Sequence, residues 1–326
     1  MSRKNRRQKQ RDDKRARPGG APRNLETPEA AMLRAQLSRL IPSRRRIDDR
    51  AREARRFNDW RVRPSTPEPG SSIVLDDTEF FSEKIITHVS ERPVLHHALF
   101  PAMSAAENLT TVVNLIDQWD STGQLRTASI ITLCRSALES ASRTVWILSD
   151  TSRDERRNRA LRVTKDEVLA QKKYLDEQIK RGEGGAIPED ILAELKQSQE
   201  AASEILDELD EVKHALKFDQ TIEKAAQWID QDTLNSSVRP MADLSKSMYS
   251  IASGIAHGYT WTTNYLQSPT ELSNIVADFL YAANTTTAAA VALFEAQASA
   301  TGTVGGNGPP HLRHLAERLG PYYSAG

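Results

Sequence analysis

The chain is nearly free of cysteine: Cys134 stands alone among 326 residues. No intramolecular disulfide can form, and a cysteine-based zinc site would lack most of its ligands. Hydrophobic residues make up only 38%, below the ~45–50% typical of globular domains. The opening run Met1-Ser-Arg-Lys-Asn-Arg-Arg-Gln has no apolar core of the signal-peptide kind. The most apolar late stretch, residues 275–294, is interrupted by Asp278, Asn284 and Thr285 to Thr287, so its spacing suits a buried bundle helix better than a membrane span. Glycines 302 to 308 precede no Lys-Ser/Thr and follow no strand, which excludes a phosphate-binding loop of that kind. The histidines other than His257 (His88, His96, His97, His214, His311, His314) show no metal-ligand spacing backed by acids. Collagenous, disulfide-rich and polytopic membrane classes are thereby excluded. The expectation is a cytoplasmic protein without a membrane partner, metal or cofactor.

Net charge is absent as well, with 44 Lys+Arg against 44 Asp+Glu, but the balance hides a segregation. Residues 1–63 hold 21 Lys+Arg and 8 acids, a net of +13, so the remainder carries −13. A division on this scale points to a charged partner. Nine of the first 17 residues are Lys or Arg, and Pro18-Gly-Gly-Ala-Pro22 follows. Residues 1–27 are therefore expected to be a disordered basic arm, because so little apolar surface cannot offset the entropy of ordering.

Beyond the arm the pattern is helical throughout, with no alternation of β-branched residues that would call for a sheet. Residues 28–63 read as two short basic helices. The first has Leu33, Leu37 and Leu40 on one stripe and ends at Pro42; the second is anchored by Ile47, Phe57 and Trp60. Residues 64–76, with three prolines in Arg63-Pro-Ser-Thr-Pro-Glu-Pro-Gly70, read as a linker. Asp76 and Asp77 are placed to cap a helix reaching about Val89 and stopped by Pro93, and Pro101 to open the next. In that next helix Leu109, Val112, Val113 and Ile116 face inward, and Thr122-Gly123 ends it. Residues 125–149 follow with apolar residues at bundle spacing. Residues 153–217 predict an antiparallel hairpin. Its second arm carries an a/d seam from Ile191 through Leu195, Ala202, Ile205 and Leu209 to Leu216, and its turn lies at Gly182 to Pro188. That return arm is anionic, with ten acids and one lysine over 183–211. Helices at 219–230, 240–257 and 270–299 complete a bundle over 77–300, leaving 301–326 as a peripheral tail. The fold class is thus all-α: a helical bundle with a projecting helical hairpin.

Two constellations could carry chemistry. On helix 125–149, Arg135, Glu139 and Arg143 succeed one another at i,i+4, with Trp146 beyond. An apolar helix with such a face brings charge near the core, where Arg135 and Glu139 either satisfy each other or serve a ligand. On helix 240–257, Tyr249, Ser253 and His257 stack at four-residue steps, offering a phenol, a hydroxyl and an imidazole in series. His257, before Gly258, suits either a proton relay or a helix cap. If the two helices touch, Arg135, Glu139, Ser253, Tyr249 and His257 form one polar cluster. Cys134 beside Arg135 reads as an inert core thiol.

The runs Arg135-Ser-Ala-Leu-Glu-Ser-Ala-Ser-Arg-Thr-Val-Trp146 and Tyr249-Ser-Ile-Ala-Ser-Gly-Ile-Ala-His-Gly258, with the basic turn Arg156-Arg-Asn-Arg159, resemble a family of uncharacterised all-helical proteins common in actinobacteria. The likeness spans about residues 99–300. More distantly the chain is similar to HEPN-like helical domains, many of which act as ribonucleases or RNA-binding toxins. Those nucleases use an arginine, four to six residues, then a histidine near a helix end. Here Ser253 occupies the place before His257, with no arginine within seven residues. Arg92 and His97 have the right separation, but Pro93 follows the arginine. The resemblance implies a helical fold and an RNA partner.

Three functional expectations result. The leading one is a non-enzymatic helical protein that binds nucleic acid or an acidic partner through residues 1–63, with Arg3, Lys4, Arg6, Arg7, Lys9, Arg11, Arg44, Arg45 and Arg46 neutralising phosphates. The second is a HEPN-like ribonuclease using His257, Arg135 and Glu139. The third is a homo-oligomer that pairs the basic arm of one copy with the acidic hairpin of another.

Overall fold

The computed structural model describes residues 28–82, 92–231, 239–300 and 308–324. Among them the regular structure is helical throughout and no strand occurs, so the fold is all-α. The proposed basic arm, residues 1–27, lies outside the described residues, as do 83–91, 232–238 and 301–307. The chain divides into two units, residues 1–42 and 43–326. In the first unit, the described segment is the opening half of helix α1 (Pro28–Arg55), where Met32 and Ile41 are exposed.

Pro42 lies inside α1 rather than ending a helix there, which corrects the expectation of two short helices. In the second unit the remainder of α1 is no appendage. Ile47, Ala51 and Ala54 recur at four- and three-residue steps and are buried, and Phe57 and Trp60 in the following turn are buried too. Each large side chain so placed contributes about 1.5–3 kcal/mol of transfer free energy. The Pro-rich stretch that follows is no free linker either. The Ser65 hydroxyl and backbone N–H both donate to Glu295, the Trp60 indole N–H donates to the same carboxylate at 2.6 Å, and the Glu68 N–H donates to the Ala298 carbonyl at 2.8 Å. A proline-rich segment cannot join a ladder, but here it is pinned through side chains and a carboxylate instead.

Helix α2 (Ser72–Ser82) begins before the two aspartates expected to cap it. Both lie inside it and are buried. Asp77 instead caps the next helix, accepting from the backbone N–H groups of Val94 (2.8 Å) and Leu95 (3.3 Å) at the start of α3 (Pro93–Thr122). Pro93 therefore opens α3 and Pro101 sits within it, the reverse of the expected roles. A proline at the first helical position lacks only an N–H that has no intrahelical partner anyway. Gly123, with φ +69°, ends α3 as expected.

Helix α4 (Thr127–Leu148) is the centre of the bundle, packed against α3 and against α9 (Pro269–Ala298). Alanines and threonines line much of α9, including Ala282, Ala283, Ala289, Ala290 and Ala292, and let it approach α4 closely. α9 is long and apolar enough to cross a membrane, and most of that stretch is buried in the bundle. The hairpin is formed by α5 (Arg153–Arg181) and α6 (Glu189–Glu208), joined through a π turn at Gly182–Ala186. Leu161, Val168, Leu175 and Ile179 of α5 are buried, as are Ala202 and Leu209 of the return arm, whereas Ile191 near the tip is exposed. The seam is thus covered best toward its base. Helices α7 (Phe218–Gln231) and α8 (Met241–Ala256) pack on each other and on α4. The C-terminal segment is not peripheral: in α10 (Arg313–Ser324), Ala316, Leu319 and Tyr323 are buried, and the helix packs on α9.

Candidate functional site

The contact between α4 and α8 brings together part of the expected polar cluster. Arg135 Nε donates to Glu139 Oε1 at 2.7 Å, and the Arg135 guanidinium lies over the Tyr249 ring at 5.1 Å. Burial works against the Arg135 charge, but the Glu139 carboxylate and Tyr249 hold its pKa above the ordinary guanidinium value. Ser253 and His257 do not join them. His257 is exposed at the C-terminal cap of α8, its ring lying against Tyr259 at 5.7 Å. Among the described residues no hydrogen bond or ion pair links it to Arg135 or Glu139. The reason is helical: two turns separate Tyr249 from His257, and α8 ends there, so the histidine falls beyond the Arg135 contact. Cys134 is buried, and burial pushes its thiol pKa well up, which makes it inert.

The same helix face, continued one turn toward its C-terminus, opens into a cleft of about 570 Å³ between α3, α4, α5 and α7. From α4 come Ser136, Glu139, Ser140 and Arg143; from α3, His96, His97 and Phe100; from α5, Glu167; from α7, Phe218. Arg143 Nη1 donates to Glu167 Oε1 at 2.8 Å and its guanidinium lies over the Phe218 ring at 5.3 Å. His97 Nδ1 stands 3.5 Å from Glu167 Oε2, and its Nε2 is 2.8 Å from the Thr164 hydroxyl. The Thr164 hydroxyl spends its one proton on the Ala160 carbonyl at 3.0 Å, so the neutral ring donates from Nε2–H to Thr164 Oγ1. Burial, with help from Arg143 and His96, lowers the His97 pKa to about 4, and burial raises that of Glu167 against the pull of Arg143. The imidazole is therefore neutral at physiological pH.

Comparison with protein-family models, with curated proteins and with solved structures finds no match to this chain.

Every charge in the cleft wall has a neighbour of opposite sign: Arg143 with Glu167, and Glu139 with Arg135. What remains open is the aromatic rim. Phe100 is 74% exposed and Phe218 43% exposed. Hydroxyls and carboxylate edges lie between them, an arrangement suited to a flat, polar-edged ligand rather than a bare phosphate. Sequence reasoning found the Arg135–Glu139 pair and Arg143, but not Glu167, the partner of Arg143, or His97 beside it. His97 and Glu167 stand 70 residues apart in the chain, and only the Arg92–His97 spacing gave a signal. Arg92 itself precedes α3 at the cap position, is exposed, and does not line the cleft.

The cations expected to bind nucleic acid divide in two. Arg3, Lys4, Arg6, Arg7, Lys9 and Arg11 lie outside the described residues. Arg44 pairs with Asp48 at 3.0 Å and lies over Trp119, and Arg46 bonds Asn274 and Asp278. Arg45 is exposed and makes no ion pair among the described residues. Two of the three arginines at 44–46 are thus engaged within the fold, which withdraws much of their charge from an external phosphate.

Proposed function

We propose that this is a non-enzymatic helical protein that binds single-stranded nucleic acid, with a base held in the Phe100–Phe218 cleft. The observation that carries the reading is the pair of exposed phenylalanines facing a cleft whose charges are internally matched. Such a surface offers stacking and edge-on hydrogen bonds, and stacking on an aromatic side chain is worth about 1–3 kcal/mol per base. Phosphate affinity is a separate contribution. With most of the cations at 44–55 paired inside the fold, residues 1–42, holding 12 Lys+Arg and 4 acids, are its source. The resemblance to HEPN-like domains supports an RNA partner. Catalysis is not part of the proposal, because His97 is a weak base with its Nε2 engaged by Thr164, and Arg92 and His257 stand outside the cleft.

Fluorescence anisotropy with a labelled 12-nucleotide RNA tests the proposal on the full chain. Phe218→Ala is expected to weaken binding by about 1–3 kcal/mol at every salt concentration. Replacing Arg3, Lys4, Arg6, Arg7, Lys9 and Arg11 by glutamine is expected to flatten the salt dependence instead. Cleavage of the RNA that disappears in folded His97→Ala would favour the ribonuclease reading. Binding indifferent to both sets of changes would overturn the assignment.

A further inference from the structure

A second, smaller cavity of about 270 Å³ lies between the end of α1, the middle of α9 and the start of α10. It is independent of the cleft described above. Its apolar wall is formed by Phe57, Ala288, Leu312 and Leu315. Its polar groups are unusual in what they leave unmet. Asn284, only 4% exposed, donates from Nδ2 to the Arg50 carbonyl at 2.8 Å, yet its Oδ1 is buried and accepts no hydrogen bond. A buried acceptor without a donor costs about 1–3 kcal/mol, and natural cores rarely leave one without a reason.

Charge at the cavity mouth is equally specific. Arg50 Nη1 donates to both Glu53 carboxylate oxygens, at 2.8 and 2.9 Å, and the guanidinium lies on the Tyr281 ring. That pairing leaves the outer lone pairs of the half-exposed Glu53 carboxylate open. Arg56, in contrast, is exposed and makes no ion pair among the described residues, although Arg50, Arg52 and Arg55 around it all do. His311 completes the rim, edge-on to Phe57 at 5.7 Å. Burial and Arg56 push its pKa down to about 4, so it adds no charge at neutral pH. The cavity therefore presents one unpaired cation, one accessible carboxylate edge and an apolar wall.

We propose that this cavity binds a free α-amino acid with an apolar side chain. The carboxylate meets Arg56, the ammonium donates to the open edge of Glu53, and the side chain lies along Ala288, Leu312 and Leu315. A phosphate would find a single unpaired cation with a carboxylate beside it, which disfavours a dianion. A neutral hydrocarbon would leave Arg56 and the open edge of Glu53 unused. The volume lies just under the ~300–1,000 Å³ range of larger ligand sites, which fits a ligand of amino-acid size.

Isothermal calorimetry and saturation-transfer NMR on the full chain test this with L-leucine and L-phenylalanine. L-leucinamide lacks the carboxylate and 4-methylpentanoate lacks the ammonium. Each is expected to bind at least about tenfold more weakly than leucine, the loss of one charge-assisted contact. Arg56→Gln, an exposed change whose fold is checked by thermal unfolding, is expected to weaken leucine by about tenfold or more and to leave leucinamide unaffected. The proposal is overturned if leucine gives no signal at 10 mM, which is about the weak end of specific binding. Equal affinity of folded Arg56→Gln and the parent protein for leucine also overturns it, as does 4-methylpentanoate matching leucine.

Discussion

Arg156 and Asp76 meet in the core with neither side chain exposed: Nε to Oδ2 is 2.7 Å and Nη2 to Oδ1 is 2.9 Å. The remaining guanidinium donors reach Ser72 Oγ (2.9 Å) and the carbonyls of Asp150 (2.9 Å) and Thr151 (3.1 Å). All five N–H groups of Arg156 are thus satisfied, and one side chain joins α2, the α4–α5 turn and α5. Removing Asp76 leaves the Arg156 charge buried without a counter-ion, so Asp76→Asn is expected to cost about 3–5 kcal/mol. Arg156→Met is expected to cost less, because Arg153 Nε remains 3.8 Å from Asp76 Oδ1. The double change to Asp76→Leu with Arg156→Met should be milder than the sum. Urea unfolding midpoints check both, and a loss under about 1 kcal/mol for Asp76→Asn would contradict the assignment.

Arg156 also shows what was and was not legible in the chain. The basic turn at 156–159 could be seen, but nothing marked one arginine in it as the buried one, because its partner lies 80 residues earlier. Periodicity gave α4, α7, α8 and α9 nearly to the residue, since each has a continuous apolar face. It misplaced the elements around Asp77, Pro93 and Pro101, where capping is tertiary: Asp77 serves a helix other than its own. Of the proposed cluster, the Arg135–Glu139–Tyr249 part follows from i,i+4 spacing and helix contact. The cleft partners His97, Glu167 and Phe218 depend on how four helices converge, which no local pattern encodes.

Asp77 gives the fold a pH dependence of defined sign. Burial raises its pKa to about 7, against the lowering by the Val94 and Leu95 N–H groups; Asp76 also raises it and Arg92 lowers it. The folded state therefore keeps a proton that the unfolded chain releases near pH 4. This group's contribution to stability is fully present below about pH 4 and is lost as pH rises through about 7. His97 and His311, both lowered to about 4, act in the opposite direction, because the unfolded chain takes up their protons first as pH falls. Asp77→Asn isolates the aspartate. The parent's stability relative to this variant should decline between pH 4 and 7, and a difference independent of pH across that window would refute the assignment.

Tyr249 is the residue through which α8 holds the Arg135 charge. Tyr249→Leu removes the ring beneath the guanidinium and should cost about 0.5–2 kcal/mol. Tyr249→Phe keeps the ring and should recover most of that loss. The Arg135 Hε resonance reports the geometry directly. It is expected to carry a ring-current shift in the parent and in Tyr249→Phe, and to lose it in Tyr249→Leu.

Gly254 decides how the segment after α8 returns to the bundle. A Cβ at this position would stand 2.6 Å from a Trp261 ring carbon and 2.6 Å from the Thr262 methyl. In an unconstrained helix, glycine to alanine is favourable by about 1 kcal/mol, so propensity and packing predict opposite signs. The contacts fall on an indole ring and on Thr262, which is itself buried, so the clash is not relieved by a flexible chain end. Gly254→Ala is therefore expected to destabilise by about 1–3 kcal/mol and to shift the fluorescence of Trp261 as the 3-10 turn Thr260–Tyr265 moves away from α8. Stabilisation by the alanine, with unchanged emission, would mean that propensity outweighs packing and that the turn is free to give way.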